Sequence, residues 1–322
     1  MAGHVLRPPF DPELEKALAP TTEQAAASIT LEMIPALRSV DREAVVDDGM
    51  LAEAGVERVD HTIAGYEGAD IEVSVLRRTD HEGAGPGICY LHAGGMVLGD
   101  RFLGLTQILP WVVRHDAVAV TVEYRLAPEF PDPYPVEDSY AGLTWAAGHA
   151  GELGIDPARL IVAGASAGGG LAAGTALLAR DRHGPPLLGQ VLIYPMLDDR
   201  DQTGSAAQFD GVGVWDRASN VTGWSALLGE RRAGDDVSIY AAPARATDLS
   251  GLPPAFIDCG SAEVFRDEDV AYATSLWRCG IQAELHVWPG GFHAFDLTAP
   301  DTALAQAMTG ARDAWVNRLF TT

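Results

Sequence analysis

The chain has 322 residues, 47% of them hydrophobic and 21% charged, so it holds enough apolar material for a large buried core and is neither disordered nor fibrous. Lys and Arg number 22 against 45 Asp and Glu, a net charge of −23; such a surface repels phosphate backbones and anionic lipid, which argues against nucleic-acid and membrane partners. The N-terminal MAGHVLRPPFDPELEKALAP lacks an apolar leader core, and no stretch nears the roughly 18 apolar residues of a membrane span. Three widely spaced cysteines, Cys89, Cys259 and Cys279, suggest neither a disulfide framework nor a metal pair, and a cytoplasmic, reduced setting is expected.

Residues 1–55 are Pro-punctuated and helical in pattern, with PELEKALAP and TEQAAASITLEMIPALRSV placing apolar residues at helical spacing. VERVDHTIAG and DIEVSVLRRT are β-rich and predict an antiparallel pair joined near Gly68. Strand and helix signals then alternate. GICYLH, AVAVTVEYR, RLIVAGAS, QVLIYPM, AFIDCG and AELHVWPG read as strands. Phe102–His115, DSYAGLTWAAGHA, SAGGGLAAGTALLARD and about Asp301–Arg318 read as helices. The expected fold is α/β, with a mostly parallel central sheet of about eight strands and helices on both faces. Residues 198–236 break the rhythm with a polar, Gly-rich, tryptophan-bearing interval. A long insertion of this kind is often a lid. It is read as a cap insertion joined by the helical segment 1–55, which leaves 56–197 and 237–322 as the core.

Gly164-Ala165-Ser166-Ala167-Gly168 lies between the strand RLIVA and the helix that follows. A G-x-S-x-G motif alone is weak in a chain so rich in Gly and Ala; in a strand–turn–helix context it is the setting of an exposed nucleophile. The helix N-terminus offers amides and partial positive charge to a developing anion. His92-Ala93-Gly94-Gly95-Met96 follows the strand ICYL. Its glycines let backbone approach a substrate oxygen, so the amides of Gly94 and Gly95, with that of Ala167, form a candidate oxyanion hole. His92 is assigned to organising the loop.

Most of the nine histidines have plain readings. His4 and His81 read as exposed terminus or loop residues. His115, His149 and His183 lie near helix ends, where a cation is favoured. His61 and His286 sit in strands. His293 differs: it lies in PGGFHAF, past the last strand, and is the final histidine, as the order Ser…Asp/Glu…His requires of a general base. The acid belongs between Ser166 and His293, after a strand, where CGSAEVFRDED supplies Glu263 and Asp267. Either one also suits a helix N-terminus, and the position at the strand's mouth favours Glu263.

HAGGMVLGD, VEYRLAPE, GASAGGGLAAG, YPMLD, GSAEVFRDED and GGFHAF together make the chain resemble the hormone-sensitive-lipase-like family of α/β hydrolases, in its bacterial esterase branch. The resemblance runs from about residue 60 to the C-terminus, with a weaker helical match before it. SAGGGLAAGT, ELGIDPARL and DVSIYAAPARATDLSGLPP draw it toward acetyl-esterase members. It implies the α/β-hydrolase fold with a cap of N-terminal helices and the insertion after the sixth strand. It also implies a triad of Ser166, Glu263 and His293, with Gly94, Gly95 and Ala167 as oxyanion donors. Three positions depart from the family pattern: Ala93 in the glycine motif, Ala165 before the nucleophile, and glutamate rather than aspartate at 263.

The implied activity is hydrolysis of short-chain, acetyl-type carboxylic esters through an acyl-enzyme, with a small-molecule ester as partner and no metal or organic cofactor. Met96, after the oxyanion glycines, and Phe209, Val214, Trp215 and Trp224, in the insertion, are placed as substrate-binding residues; packing within a cap explains the aromatic ones equally well. The same triad serves amidases, lactonases and dehydratases, and some relatives are non-catalytic receptors that lack the histidine. A homodimer is compatible with the sequence, which does not decide the oligomeric state.

Overall fold

A computed structural model describes residues 6–24, 28–39 and 47–321. His4 and three pieces of the predicted N-terminal segment (1–5, 25–27 and 40–46) lie outside the described residues. One eight-stranded sheet organises the chain: β1 (Val56–Ala64), β2 (Asp70–Arg78), β3 (Gly85–Leu91), β4 (Val118–Val122), β5 (Ile155–Ala165), β6 (Gly189–Ile193), β7 (Ala255–Gly260) and β8 (Ala283–Trp288). Their order is β1-β2-β4-β3-β5-β6-β7-β8. β1 and β2 form the expected hairpin, turned by Glu67 at φ 58° and Gly68 at φ 74°. β2 runs antiparallel to β4, and every pairing from β4 through β8 is parallel.

The strand sequences dictate two cores. β3, β4 and β6 are buried along their whole length, as continuous apolar runs in a doubly covered sheet must be. Alternation then sorts the side chains: Cys89 and Leu91 enter one apolar cluster, Ile88 and Tyr90 the other. Helices Tyr134–Gly148, Ala167–Asp181 and Arg266–Arg278 cover the first face. Helices Pro12–Gln24, Leu109–His115 and Ala303–Thr321 cover the second. Trp111 adds a directed contact there, its indole N–H donating to Asp313 Oδ1 at 2.7 Å. The end of the last helix is fastened beside the start of β5, where Arg159 Nη2 donates to the Phe320 carbonyl at 2.6 Å.

Ala167–Asp181 explains its own composition. Every residue from Ala167 to Ala179 is buried, and the stretch is built of glycine, alanine and leucine with Thr175 as its one polar side chain. A Cβ on Gly174 would stand 2.1 Å from the Tyr240 carbonyl oxygen. Backbone cannot retreat as a side chain can. Gly174→Ala is therefore expected to cost about 1–3 kcal/mol through overpacking, despite alanine's better helix propensity, and a denaturant midpoint would read this.

Within 198–236 the chain forms two short helices, Gly204–Gln208 and Arg217–Leu228. Thr203 caps the first through Ala206 N, and Asp216 caps the second through Ser219 N. The N-terminal segment is bonded to this unit. Ser28 Oγ donates to Asp216 Oδ2 at 2.7 Å, Ile29 N to Ser219 Oγ at 2.9 Å, and Thr222 Oγ1 to the Ile29 carbonyl at 2.8 Å. Within TEQAAASITLEMIPALRSV, residues 22–24 end the helix Pro12–Gln24, a bend stands at Ser28, and a short 3-10 turn Leu31–Met33 leads into the helix Ile34–Ser39.

His81 corrects an expectation. Its sequence context reads as an exposed loop, yet its side chain is 4% exposed. Nδ1 meets Asp116 Oδ1 at 2.9 Å and Nε2 meets the Gly154 carbonyl at 3.1 Å. The room comes from Gly154, whose absent Cβ would stand 2.3 Å from Nε2. The cause is long-range, and no local pattern around His81 announces it.

Candidate active site

Parallel strands bring β3, β5, β7 and β8 to one edge of the sheet at their C-terminal ends, where open α/β sheets bind ligands. Ser166 follows β5 directly and takes φ 56° and ψ −119°. That left-handed strain is held from outside the motif. Ser166 N donates to the Ile193 carbonyl at 2.8 Å, and its carbonyl accepts Met196 N at 2.9 Å and Gly170 N at 3.1 Å. The flanking glycines are steric requirements. A Cβ on Gly164 would lie 2.1 Å from the Gly168 carbonyl oxygen, and one on Gly168 would lie 2.0 Å from the Leu91 oxygen. Ala165 is buried and paired with Ile193, so a small apolar residue fits before the serine.

His293 Nε2 stands 2.9 Å from Ser166 Oγ, and His293 Nδ1 stands 2.6 Å from Glu263 Oε2. Glu263 Oε1 accepts the Gly260 amide at 2.5 Å, which anchors the carboxylate to the end of β7. Gly260 packs against Gly291 of the histidine loop, where a Cβ on Gly260 would stand 2.0 Å from the Gly291 carbonyl oxygen. All three side chains are buried. Asp267, the other acidic candidate, is used elsewhere: Oδ2 accepts Ser205 N at 2.8 Å and Oδ1 pairs with Arg266 at 2.8 Å. Burial pulls its carboxyl up, but the bonds from Arg266 and Ser205 outweigh this and leave it below its ordinary range.

Gly94 and Gly95 take φ 121° and 61°, and Met96 follows at 63°. Among the described residues, the amides of Gly94 and Gly95 donate to no backbone carbonyl, while the Gly94 carbonyl accepts Val97 N at 3.1 Å and Leu98 N at 2.9 Å. The loop thus turns on its carbonyl, and among the described residues those two donors have no backbone acceptor. Ala167 opens the helix that follows Ser166. His92 has the organising place assigned to it. Its ring stacks on Tyr124 at 4.1 Å and 10°, Nδ1 meets the Ala93 carbonyl at 2.7 Å, and Tyr124 Oη donates to the His92 carbonyl at 2.8 Å.

Burial holds the His92 imidazole below its ordinary value and therefore neutral. The unfolded chain binds that proton more readily, so the stability contribution is complete above about pH 6.5 and declines as pH falls toward the lowered native value. His92→Phe keeps a ring on Tyr124 but has no proton to gain. Its Tm is expected to fall less than that of the wild type between pH 8 and pH 5, as calorimetry across that range would read.

The five predicted substrate-binding residues separate. Trp215 lies against the glycine loop after β3: a Cβ on Gly95 would stand 2.2 Å from its Cη2. Met96 is fully buried, and its carbonyl accepts Ala127 N at 2.9 Å. Trp224 is fully buried in the cluster that holds Met196 and Trp215. Phe209 packs on Phe10 at 6.3 Å, in the cluster with Phe292. Val214 is exposed. Sequence reasoning missed Arg38. Its Nε donates to the Val97 carbonyl at 2.7 Å and its Nη2 to the Ala127 carbonyl at 2.6 Å, so a helix of the N-terminal segment is fastened to the loop after β3. Its position after LEMIPAL reads only as a helix-end cation.

Among the described residues, no helix is long and apolar enough to cross a membrane, and no group of His, Cys, Asp and Glu is arranged to hold a metal. A sequence profile of the alpha/beta hydrolase fold family matches residues 88–297. The chain is 36% identical over 317 residues to the carboxylesterase NlhH of Mycobacterium tuberculosis, covering 94% of both chains. The solved structure of bacterial heroin esterase superposes with a TM-score of 0.88 at 36% identity, over 97% of this chain and 98% of that one. The esterase LipW of Mycobacterium marinum gives 0.87 at 34% identity, over 99% of each chain. With its eight-stranded sheet, its cluster of motifs and these likenesses, the chain belongs to the hormone-sensitive-lipase-like group of the alpha/beta hydrolase fold family.

Proposed function

We propose that this carboxylic ester hydrolase acts through Ser166, His293 and Glu263 on esters of short, acetyl-type acyl groups. The observation that carries the proposal is the bonded chain of the three side chains, 2.9 Å from His293 Nε2 to Ser166 Oγ and 2.6 Å from His293 Nδ1 to Glu263 Oε2. Ser166 Oγ attacks the ester carbonyl as His293 takes its proton. Glu263 holds the imidazole in one tautomer and stabilises the imidazolium. The amides of Gly94, Gly95 and Ala167 receive the oxyanion, and each such donor is typically worth about 2.7–4 kcal/mol. His293 then protonates the leaving alkoxide. Water, activated by the same imidazole, releases the acid and restores the serine.

The short acyl preference is supported by bulk at the oxyanion loop. Trp215 covers Gly95, and the Met196 methyl lies beside Gly223, 3.5 Å from where a Cβ on that glycine would stand. Residues 198–236 and the described part of 1–55 act together as a cap in this reading, given the bonds from Ser28, Ile29 and Thr222. The cysteines are free thiols, which supports a reducing compartment. A p-nitrophenyl ester series tests the acyl preference: kcat/KM is expected to peak at acetyl to butyryl and to drop by about tenfold or more by octanoyl. A maximum at decanoyl or longer, or faster turnover of a matched amide or lactone, would overturn it.

A further inference from the structure

Behind His293 lies a polar cluster that the triad does not use. Tyr194 follows β6 and takes φ 34°, in the left-handed region that an aromatic residue enters only when held. Its amide donates to the Asp258 carbonyl at 2.7 Å. Its ring meets the His293 imidazole edge-on, with centroids 4.8 Å apart at 71°, and Phe265 meets the same imidazole at 5.0 Å and 78°. The base is thus flanked by two rings.

The Tyr194 hydroxyl is fixed in turn. It donates to Asp296 Oδ1 at 2.9 Å and accepts from Gln107 Nε2 at 2.6 Å. Asp296 stands three residues after His293. Arg312, fully buried in the last helix, donates from Nη1 to Asp296 Oδ2 at 3.1 Å and from Nη2 to Asp258 Oδ2 at 3.0 Å. Asp258 lies in β7, the strand that leads to Glu263. One guanidinium therefore joins the strand that delivers the acid to the loop that delivers the base.

Stability alone is a poor reason for such a cluster. A buried ion pair bears a large desolvation cost, and an apolar trio of similar volume often folds as well or better. A hydrogen bond at Nδ1 alone leaves an imidazole free to pivot about that contact. A ring fixed at its far end, packed against the imidazole, removes the pivot. We propose that Tyr194, oriented by Asp296 and Arg312, is a positioning residue that keeps His293 Nε2 aimed at Ser166 through both halves of the cycle. The inference rests on the triad reading.

The test compares Tyr194→Phe, Tyr194→Leu, Arg312→Lys and Ser166→Ala in the full chain, with p-nitrophenyl butyrate as substrate. Active sites are counted with a fluorophosphonate, so that kcat is expressed per competent serine. Because a misplacement of about 1 Å can cost on the order of 100-fold, kcat is expected to fall by about 5-fold in Tyr194→Phe and about 50-fold in Tyr194→Leu, with KM within about twofold. Arg312→Lys, which keeps a charge but loses the fork, is expected to fall between them.

Tyr194→Leu takes away the aromatic ring that packs on the imidazole. The charged groups around the imidazole are Glu263 at Nδ1 and, beyond the tyrosine ring, Asp296, Asp258 and Arg312. That substitution leaves all of them in place. Tyr194→Phe removes one oxygen and keeps the test alive if the leucine variant fails to fold. Unchanged kcat per titrated site in the folded Tyr194 variants, with Ser166→Ala inert, would overturn the positioning role alone. Turnover retained by Ser166→Ala would instead overturn the triad reading beneath it.

Discussion

Ser166→Ala is expected to lower kcat for p-nitrophenyl acetate by about 10⁵–10⁶-fold, the loss seen when a nucleophile is removed from a triad that works as a unit. What survives should be the weak assistance that an oxyanion hole and binding give to water, about 10³-fold or more over the uncatalysed reaction. The variant should fold as the parent does. Alanine keeps the Cβ that φ 56° already strains, and the three bonds that hold the turn are made by the backbone of residue 166. A fluorophosphonate should label the wild type at one equivalent and the variant not at all. Turnover above about one per cent of wild type would remove Ser166 from the mechanism, because no triad member contributes so little.

Glu263→Gln carries the second large expectation, a loss of about 10⁴-fold in kcat. The number follows from hydrogen-bond polarity. Glu263 Oε1 accepts the Gly260 amide and Oε2 accepts from His293 Nδ1. A glutamine has one oxygen for two donors. If that oxygen keeps Gly260, the side-chain amide presents N–H to Nδ1 and selects the tautomer whose proton sits on Nε2, facing the serine. That tautomer cannot accept the serine proton. Glu263→Asp should be milder, since it shortens the arm but keeps the charge. Asp267→Asn is the control, expected to leave kcat within about threefold and to cost roughly 1 kcal/mol of stability at the start of its helix. A larger kcat loss in Asp267→Asn than in Glu263→Gln, read by steady-state kinetics, would move the acid to Asp267.

The parts of the site that were legible in the sequence are those whose causes are local. Ser166 sits in a turn whose steric demands fall on Gly164 and Gly168, two residues away on either side. His293 and the Gly94-Gly95 pair each lie just past a strand, and the sheet was legible because buried parallel strands write themselves as continuous apolar runs. Glu263 was harder, since an acid near a helix start has a second explanation; its distance to His293 separates it from Asp267. Arg38, Tyr194, Asp296 and Arg312 were not legible. Their partners lie from 16 to 189 residues away along the chain. In a helix pattern, a buried arginine and a surface one look alike. His81 is misread for the same reason, its burial being set by a missing side chain at Gly154.

The two ends of the described chain stand in opposite relations to the chemistry, and this decides where the enzyme can be attached to a support. Arg38 ties the N-terminal segment to the Val97 and Ala127 carbonyls, so tension applied through that side would reach the glycine loop that precedes Val97. The other end is anchored at Arg159, seven residues before Ser166 on the same strand. At about 3.3 Å per residue that places it roughly 23 Å from the serine, measured along the strand. A linker extended after Thr321 would therefore load the molecule at its base and leave the mouth of the site facing away from the surface that carries it.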